Sequence, residues 1–157
     1  NHLQVMLECE VGRSKRYGFQ FSLVFLDLDN FKSVNDTYGH LVGSRILAEF
    51  GHLLKKHVRT SDICARYGGD EFVIVLPNTS QRGALSMVLN FREIISNHHF
   101  GDDTGERIPV TASYGIATYP EDADGRCALI HAADKAMYQV KGTTRDGVKS
   151  CSSLPDS

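Results

Sequence analysis

No apolar run in the chain approaches the roughly 18 residues needed to cross a bilayer, and no secretory leader opens it. The sequence therefore predicts a cytoplasmic domain with no membrane segment. A basic excess is also missing. The formal net charge is -2 and the pI is near 6.4, which argues against a general nucleic-acid binder and against DNA as a partner. A nucleotide site stays open, because it needs only a few local cations. The four cysteines, Cys9, Cys64, Cys127 and Cys151, form no C-x-x-C pair and no metal-ligand spacing. They read as reduced thiols, with Cys64 in an apolar run and expected to be buried. No internal repeat and no low-complexity segment is visible.

What is present fits one compact domain. The chain has 157 residues, of which 41% are hydrophobic, enough for a real core. Residues 3–16 predict a helix with a solvated basic end at Arg13, Lys15 and Arg16. Residues 21–27 form a continuous apolar run that stops at Asp27, the mark of a buried central strand. Ile46, Leu47, Phe50, Leu53, Leu54 and Val58 have helical spacing within 43–58. Runs 63–67 and 72–76 flank Gly68-Gly69 and read as a hairpin. A helix over 81–96 follows, then a polar loop or hairpin tip over 98–107, a β-branched strand over 108–118 and a helix over 127–140. From Gly142 onward the chain is polar and reads as frayed. The order strand, helix, strand, strand, helix, strand predicts an α+β fold. It is the ferredoxin-like split βαβ (βαββαβ) arrangement, with an antiparallel sheet and its helices on one face.

Acids gather where this topology brings strands together. The first strand ends in Asp27-Leu28-Asp29, and the hairpin turn carries Asp70-Glu71. Either motif alone reads as a turn or a solvated edge. Together they place Asp27 near Asp70 and Glu71, and clustered carboxylates repel unless a cation sits between them. Oxygen-only ligands suit Mg²⁺ or Mn²⁺, and such sites commonly serve bound phosphates.

The motifs LDLDNFKSVNDTYGH, RYGGDEF, VTASYGIA and ADKAMYQVK stand in this order along the chain. They resemble the GGDEF family of dinucleotide cyclases, over nearly the whole length from Asn1 to about Arg145. The resemblance implies a palm-type cyclase core with added N- and C-terminal helices. It implies a catalytic domain over 1–145 whose N-terminal approach segment is truncated, then a flexible polar tail over 146–157. It further implies catalysis in a homodimer and an upstream sensor or receiver domain in the full-length chain.

The resemblance also implies roles. Asp27, Asp70 and the carbonyl of Leu28 would hold Mg²⁺, one or two ions per site. Glu71 would help ligate metal or accept the proton of the attacking ribose 3′-hydroxyl, and the division of labour between Asp70 and Glu71 is open. Lys32, beside Phe31 and with local backbone amides, would meet the terminal phosphates, as would Lys141 and Arg145. Arg145 lies in TTRDG, where the family more often has G-R-N. Asn35 matches a residue that hydrogen-bonds guanine, Gly39-His40 shape a turn, and Tyr38 and His40 pack. Arg59 and Asp62, in R-T-S-D, match a product-binding inhibitory site for the cyclic dinucleotide. R-x-x-D also arises by chance.

Ser44 departs from the family pattern, which has aspartate after G-H-x-x-G. A carboxylate accepts from the two donors of the guanine edge and repels the adenine N1 lone pair. A hydroxyl donates or accepts. Two readings follow. One is neutral drift, with Asn35 still selecting GTP and cyclic di-GMP as the sole product. The other is a resemblance to hybrid promiscuous cyclases, which use ATP beside GTP and make cyclic GMP-AMP with cyclic di-GMP and cyclic di-AMP. A catalytically inactive dinucleotide- or GTP-binding module is the rival from outside the enzymes, and an inert ferredoxin-like interaction domain is weaker still.

Overall fold

A computed structural model describes residues 2–101 and 104–151. Helix α1 (His2–Tyr17) leads into the central strand β1 (Phe21–Leu28), followed by α2 (Phe31–Tyr38) and α3 (His40–His57). Strands β2 (Ile63–Arg66) and β3 (Glu71–Pro77) form the hairpin. Helix α4 (Gln81–Asn97), strand β4 (Ala112–Tyr119), helix α5 (Arg126–Lys141) and strand β5 (Val148–Ser150) complete the chain. The sheet order is β2-β3-β1-β4-β5. The first four strands are antiparallel, as the split βαβ pattern requires, and β5 joins the edge parallel to β4.

Strand β1 is apolar at nearly every position because both of its faces are covered. Val24, Leu26 and Leu28 point into one core with Ile46, Phe50 and Leu54 of α3 and Val88 and Phe91 of α4. Phe21, Leu23 and Phe25 point into a second core with Leu7 of α1 and Leu129, Ala133 and Met137 of α5. The two helices of the split βαβ core, α3 and α4, thus share one face as expected, and the added N- and C-terminal helices α1 and α5 cover the other. A strand whose alternate residues are both apolar needs a layer on each side, and α1 with α5 supply the second. Each fully buried Leu or Phe contributes about 1.5–3 kcal/mol.

Other boundaries also differ from the sequence reading. Helix α2 stands where the sequence predicts only a turn, and α3 starts at His40 rather than 43. Gly39 separates the two helices with φ 92°, a left-handed conformation that favours glycine, while its amide caps α2 by donating to Asn35 O at 2.8 Å. The strand expected from 108 begins at Ala112. Before it, Ile108 bridges back to Phe100, so the loop over 98–107 closes as a hairpin-like tip. Residues 102 and 103 of that loop lie outside the described residues. The frayed, flexible tail is corrected in part: Val148–Ser150 pair with Tyr114–Ile116. Its last residues, 152–157, lie outside the described set, as does Asn1. Cys64 is half-buried rather than buried, and all four cysteines are free.

Candidate active site

The site forms where β1 ends between its two neighbours. Antiparallel register puts Asp27 opposite Glu71 on β3 and opposite Ser113 on β4. Leu28 N donates to Asp70 O at 3.1 Å, which draws the hairpin turn over the end of β1. The Asp70 carboxylate stands near enough to the Asp27 carboxyl to raise its proton affinity. The fold thus brings together the acids of the two motifs. Arg66 braces the turn, its Nε donating to Gly69 O at 3.2 Å. Gly68 leaves the space that the Glu71 carboxylate occupies, since a Cβ there would overlap Glu71 Oε1.

Lys141, the last residue of α5, reaches into this cluster. Its Nζ donates to Leu28 O at 3.0 Å and Asp29 Oδ1 at 3.2 Å, and pairs with Asp27 Oδ2 at 3.6 Å. Gly115 makes that approach possible. A Cβ on it would overlap Ala133 O and Met137 N, so α5 lies directly on the β4 backbone.

Asp27 and Asp29 differ sharply in environment. Burial, with the charges of Asp70 and Glu71 and against the pull of Lys141, pushes Asp27 up to about 7. Its Oδ1 is buried with no hydrogen-bond partner among the described residues. Burial also acts to raise Asp29. Donation from Ser113 Oγ (2.7 Å), the Asp146 amide (2.8 Å) and Thr111 Oγ1 (2.8 Å), with Lys141, outweighs it and holds Asp29 below the usual range. Burial, Asp134 and Asp70 together raise Glu71. Among the described residues, no three His, Cys, Asp or Glu side chains converge into a ready-made metal cage. The donor set still fits a hard cation. An unsatisfied buried carboxylate oxygen, a second carboxylate and a backbone carbonyl are the ligands Mg²⁺ takes when phosphates complete its shell.

Beyond the acids, α2 starts at Phe31 after Asn30, whose side chain makes no cap hydrogen bond. Its first-turn amides are left for an anion, as at other helix N-termini. Lys32 is exposed on that turn. Asn35 faces α3 with its Oδ1 buried and unpartnered. Gly43 makes the room, because a Cβ there would overlap Asn35 Oδ1 and lie 3.2 Å from the Phe31 ring. Ser44, next in sequence, is exposed in the first turns of α3. These residues line an uncapped helix start beside clustered acids, with a small-residue corner behind it.

The family description "diguanylate cyclase, GGDEF domain" matches residues 1–147. The chain belongs to the diguanylate cyclase GGDEF domain family. It is 37% identical over 127 residues to diguanylate cyclase A of Treponema denticola, covering 81% of this chain and 34% of that protein. It is 38% identical over 146 residues to diguanylate cyclase DgcP of Pseudomonas aeruginosa, covering 92% of this chain and 21% of that one. The GGDEF domain thus spans about a third or less of the curated relatives it matches. Its fold matches the solved GGDEF domain of TpbB (YfiN) from P. aeruginosa with a TM-score of 0.89 and 32% identity, over 95% of this chain and 92% of that chain. The GGDEF domain of DgcB from Caulobacter crescentus, solved in complex with c-di-GMP, matches with a TM-score of 0.88 and 25% identity, over 96% and 89% of the two chains.

Within this GGDEF domain, Arg59 and Asp62 sit apart from the acids, past the far end of β3. The Asp62 carboxylate is 2% exposed and accepts from Arg59 Nη2 at 2.9 Å and from the Arg59 amide at 2.8 Å. Arg59 Nη2 also donates to Pro77 O and Thr79 Oγ1. Beside them opens a cavity of about 460 Å³, lined in part by His57, Asn78, Ser80 and Asn90. Arg145 is exposed in the loop between α5 and β5 with φ 50°. Tyr38 packs on the core, whereas His40 is exposed. Sequence reasoning assigns no role to Asp29, Gly43, Arg66 or Gly115. Asp29 is visible in the D-L-D motif, but nothing local marks it as the residue that collects donors. Among the described residues no helix is long and apolar enough to cross a membrane.

Proposed function

We propose that this domain condenses two nucleoside triphosphates into a 3′,5′-cyclic dinucleotide, in the cytoplasm, as one half of a homodimer driven by an upstream sensor or receiver domain. The observation that carries the reading is the unsatisfied Asp27 Oδ1 against Asp70, beside the uncapped start of α2. Each protomer binds one triphosphate. The ribose 3′-hydroxyl of one nucleotide attacks the α-phosphorus of the other, a new P–O bond forms, and the bond to pyrophosphate breaks. Two such steps close the ring. When bound at Asp27, Asp70 and Leu28 O, Mg²⁺ neutralises the triphosphate and the charge that develops on the transferred phosphoryl group. Its raised proton affinity supports Glu71 as the group that takes the hydroxyl proton. Lys32, Lys141 and Arg145 hold the terminal phosphates, and Asn35 reads the base.

Ser44 widens the base choice to ATP beside GTP, so that cyclic GMP-AMP forms with cyclic di-GMP and cyclic di-AMP. Sites that discriminate by leaving polar groups unpaired reach selectivities of about 10⁴, and a hydroxyl removes one such penalty. The Arg59–Asp62 cavity supports feedback by the cyclic product. The test is incubation of the full-length chain with Mg²⁺ and equal GTP and ATP, with products identified by mass. Mixed cyclic GMP-AMP that gives way to cyclic di-GMP in Ser44→Asp establishes both parts. Cyclic di-GMP alone leaves a diguanylate cyclase and removes the promiscuity. If dimers form, no dinucleotide is made and Asp70→Ala changes nothing, the enzyme reading fails.

A further inference from the structure

We infer that Arg92, on α4, is a positioning residue for the triphosphate, acting through Asp146 on Arg145; this rests on the reading above. The loop after α5 carries two consecutive residues in the left-handed region, Arg145 at φ 50° and Asp146 at φ 43°. Neither is glycine, so the backbone here is strained and persists only if its surroundings hold it. Three anchors do so from outside the loop. Asp146 N donates to Asp29 Oδ2 at 2.8 Å. Tyr114 N donates to Gly147 O at 2.9 Å. Arg92 Nε donates to Asp146 Oδ1 at 3.0 Å across 54 residues of chain.

The first two anchors belong to the acid cluster and the sheet. Arg92 reaches in from the opposite layer and grips the Asp146 side chain. The consequence is geometric. Arg145 N is fixed to Val140 O at 2.9 Å, Asp146 is fixed on both its amide and its carboxylate, and the Arg145 side chain between them is exposed. Its direction is set by the left-handed pair. Lys141, at the start of the same loop, is tied to the same Asp29 carboxylate. Arg92 thus helps to aim Arg145, the cation proposed to meet the terminal phosphates, without touching them.

Arg92 and Asp146 are 42% and 44% exposed, so removing the pair leaves the fold standing. A surface ion pair of this exposure has little weight in stability alone. Its effect must therefore appear in triphosphate binding rather than in folding. The test measures binding of a non-hydrolysable GTP analogue with Mg²⁺, and of GMP, to the full-length protein. Arg92→Gln and Asp146→Asn should each bind the triphosphate analogue about fivefold more weakly, with GMP affinity unchanged and Arg92→Lys largely restored. In an Arg145→Ala background, Arg92→Gln should add no further loss. Equal binding of the analogue by wild type and both variants overturns the inference while leaving the proposed function intact. So do losses that multiply in the double variant, or that fall equally on GMP. Wild type that binds no analogue overturns the proposed function and this inference with it.

Discussion

Gly115→Ala and Gly12→Ala make the same chemical change in opposite surroundings. Gly115 is buried in β4, where an added methyl would overlap Ala133 O and Met137 N and stand 3.0 Å from Met137 Cα. All three are backbone atoms, so no rotamer relieves the clash and α5 must lift off the sheet. That helix buries Leu129, Ala133, Ala136, Met137 and Val140, and all of them loosen together. Overpacking of this kind costs about 1–3 kcal/mol, and a clash with backbone belongs at the upper end. Gly12 lies in α1 on its exposed side with nothing within 4 Å. Alanine there should stabilise by about 0.5–1 kcal/mol through helix propensity alone. Urea and thermal denaturation read both. For a domain of this size each kcal/mol moves Tm by roughly 2–4 °C, so Gly115→Ala should fall by about 6–12 °C while Gly12→Ala rises by a few degrees. Gly115→Ala with wild-type stability would refute the close seating of α5 on β4. The account of how Lys141 reaches the acids would fall with it.

Asp27 holds its proton more tightly folded than unfolded, so wild-type stability should fall as pH rises from about 4 through about 7. Against Asp27→Asn, measured in chelator by urea denaturation, the relative loss at pH 8 should reach up to about 4 kcal/mol, since each tenfold change in proton affinity is worth about 1.4 kcal/mol. Asp29 has the opposite sign: its lowered pKa gives stability that is present above about 4 and lost as pH falls through the folded value. Asp29→Asn should cost about 3–5 kcal/mol at pH 7, because an amide NH₂ then faces Ser113, Thr111, the Asp146 amide and Lys141, and the deficit should shrink as pH falls through the lowered folded value of Asp29. Gly43→Ala should displace Asn35 and weaken nucleotide binding by calorimetry about tenfold or more, and unchanged affinity would remove Asn35 from the base site.

The parts of the fold that can be read in the sequence are those whose signal is local. The apolar run of β1 and the helical spacing of α3, α4 and α5 carry their own periodicity, and the acids at the strand ends follow once the topology is guessed. Helix α2 escapes such a reading because FKSVNDTY is rich in residues that favour caps, turns or strands. It is helical because Phe31, Val34 and Tyr38 pack against the core, a tertiary effect. Strand β5 has three residues and a parallel partner, so it leaves no alternating pattern of its own. The role of Asp29 is hidden for a different reason. Its donors Thr111, Ser113 and Asp146 lie 82, 84 and 117 residues away.

Those distant donors also bear on why the proposed function gives the cation to Asp27 rather than to Asp29. Both acids stand at the end of one strand, two residues apart, and both are largely withdrawn from water. The hydroxyls of Thr111 and of Ser113 on β4, with the Asp146 amide of the α5–β5 loop, converge on Asp29, which takes Lys141 at 3.2 Å while Asp27 is left with it at 3.6 Å. Asp27 gains Asp70 and Glu71 as neighbours instead. An ionised carboxylate in that position is unstable until a positive charge arrives with its own ligands. The cluster therefore gains most from a cation that brings phosphate oxygens, because those also complement Lys141 once it leaves the acids. Moving a donor from Asp29 to Asp27 would settle the empty fold more firmly and weaken this preference, so the uneven sharing of donors at the end of β1 supports the proposal that the site takes a metal-bound nucleotide.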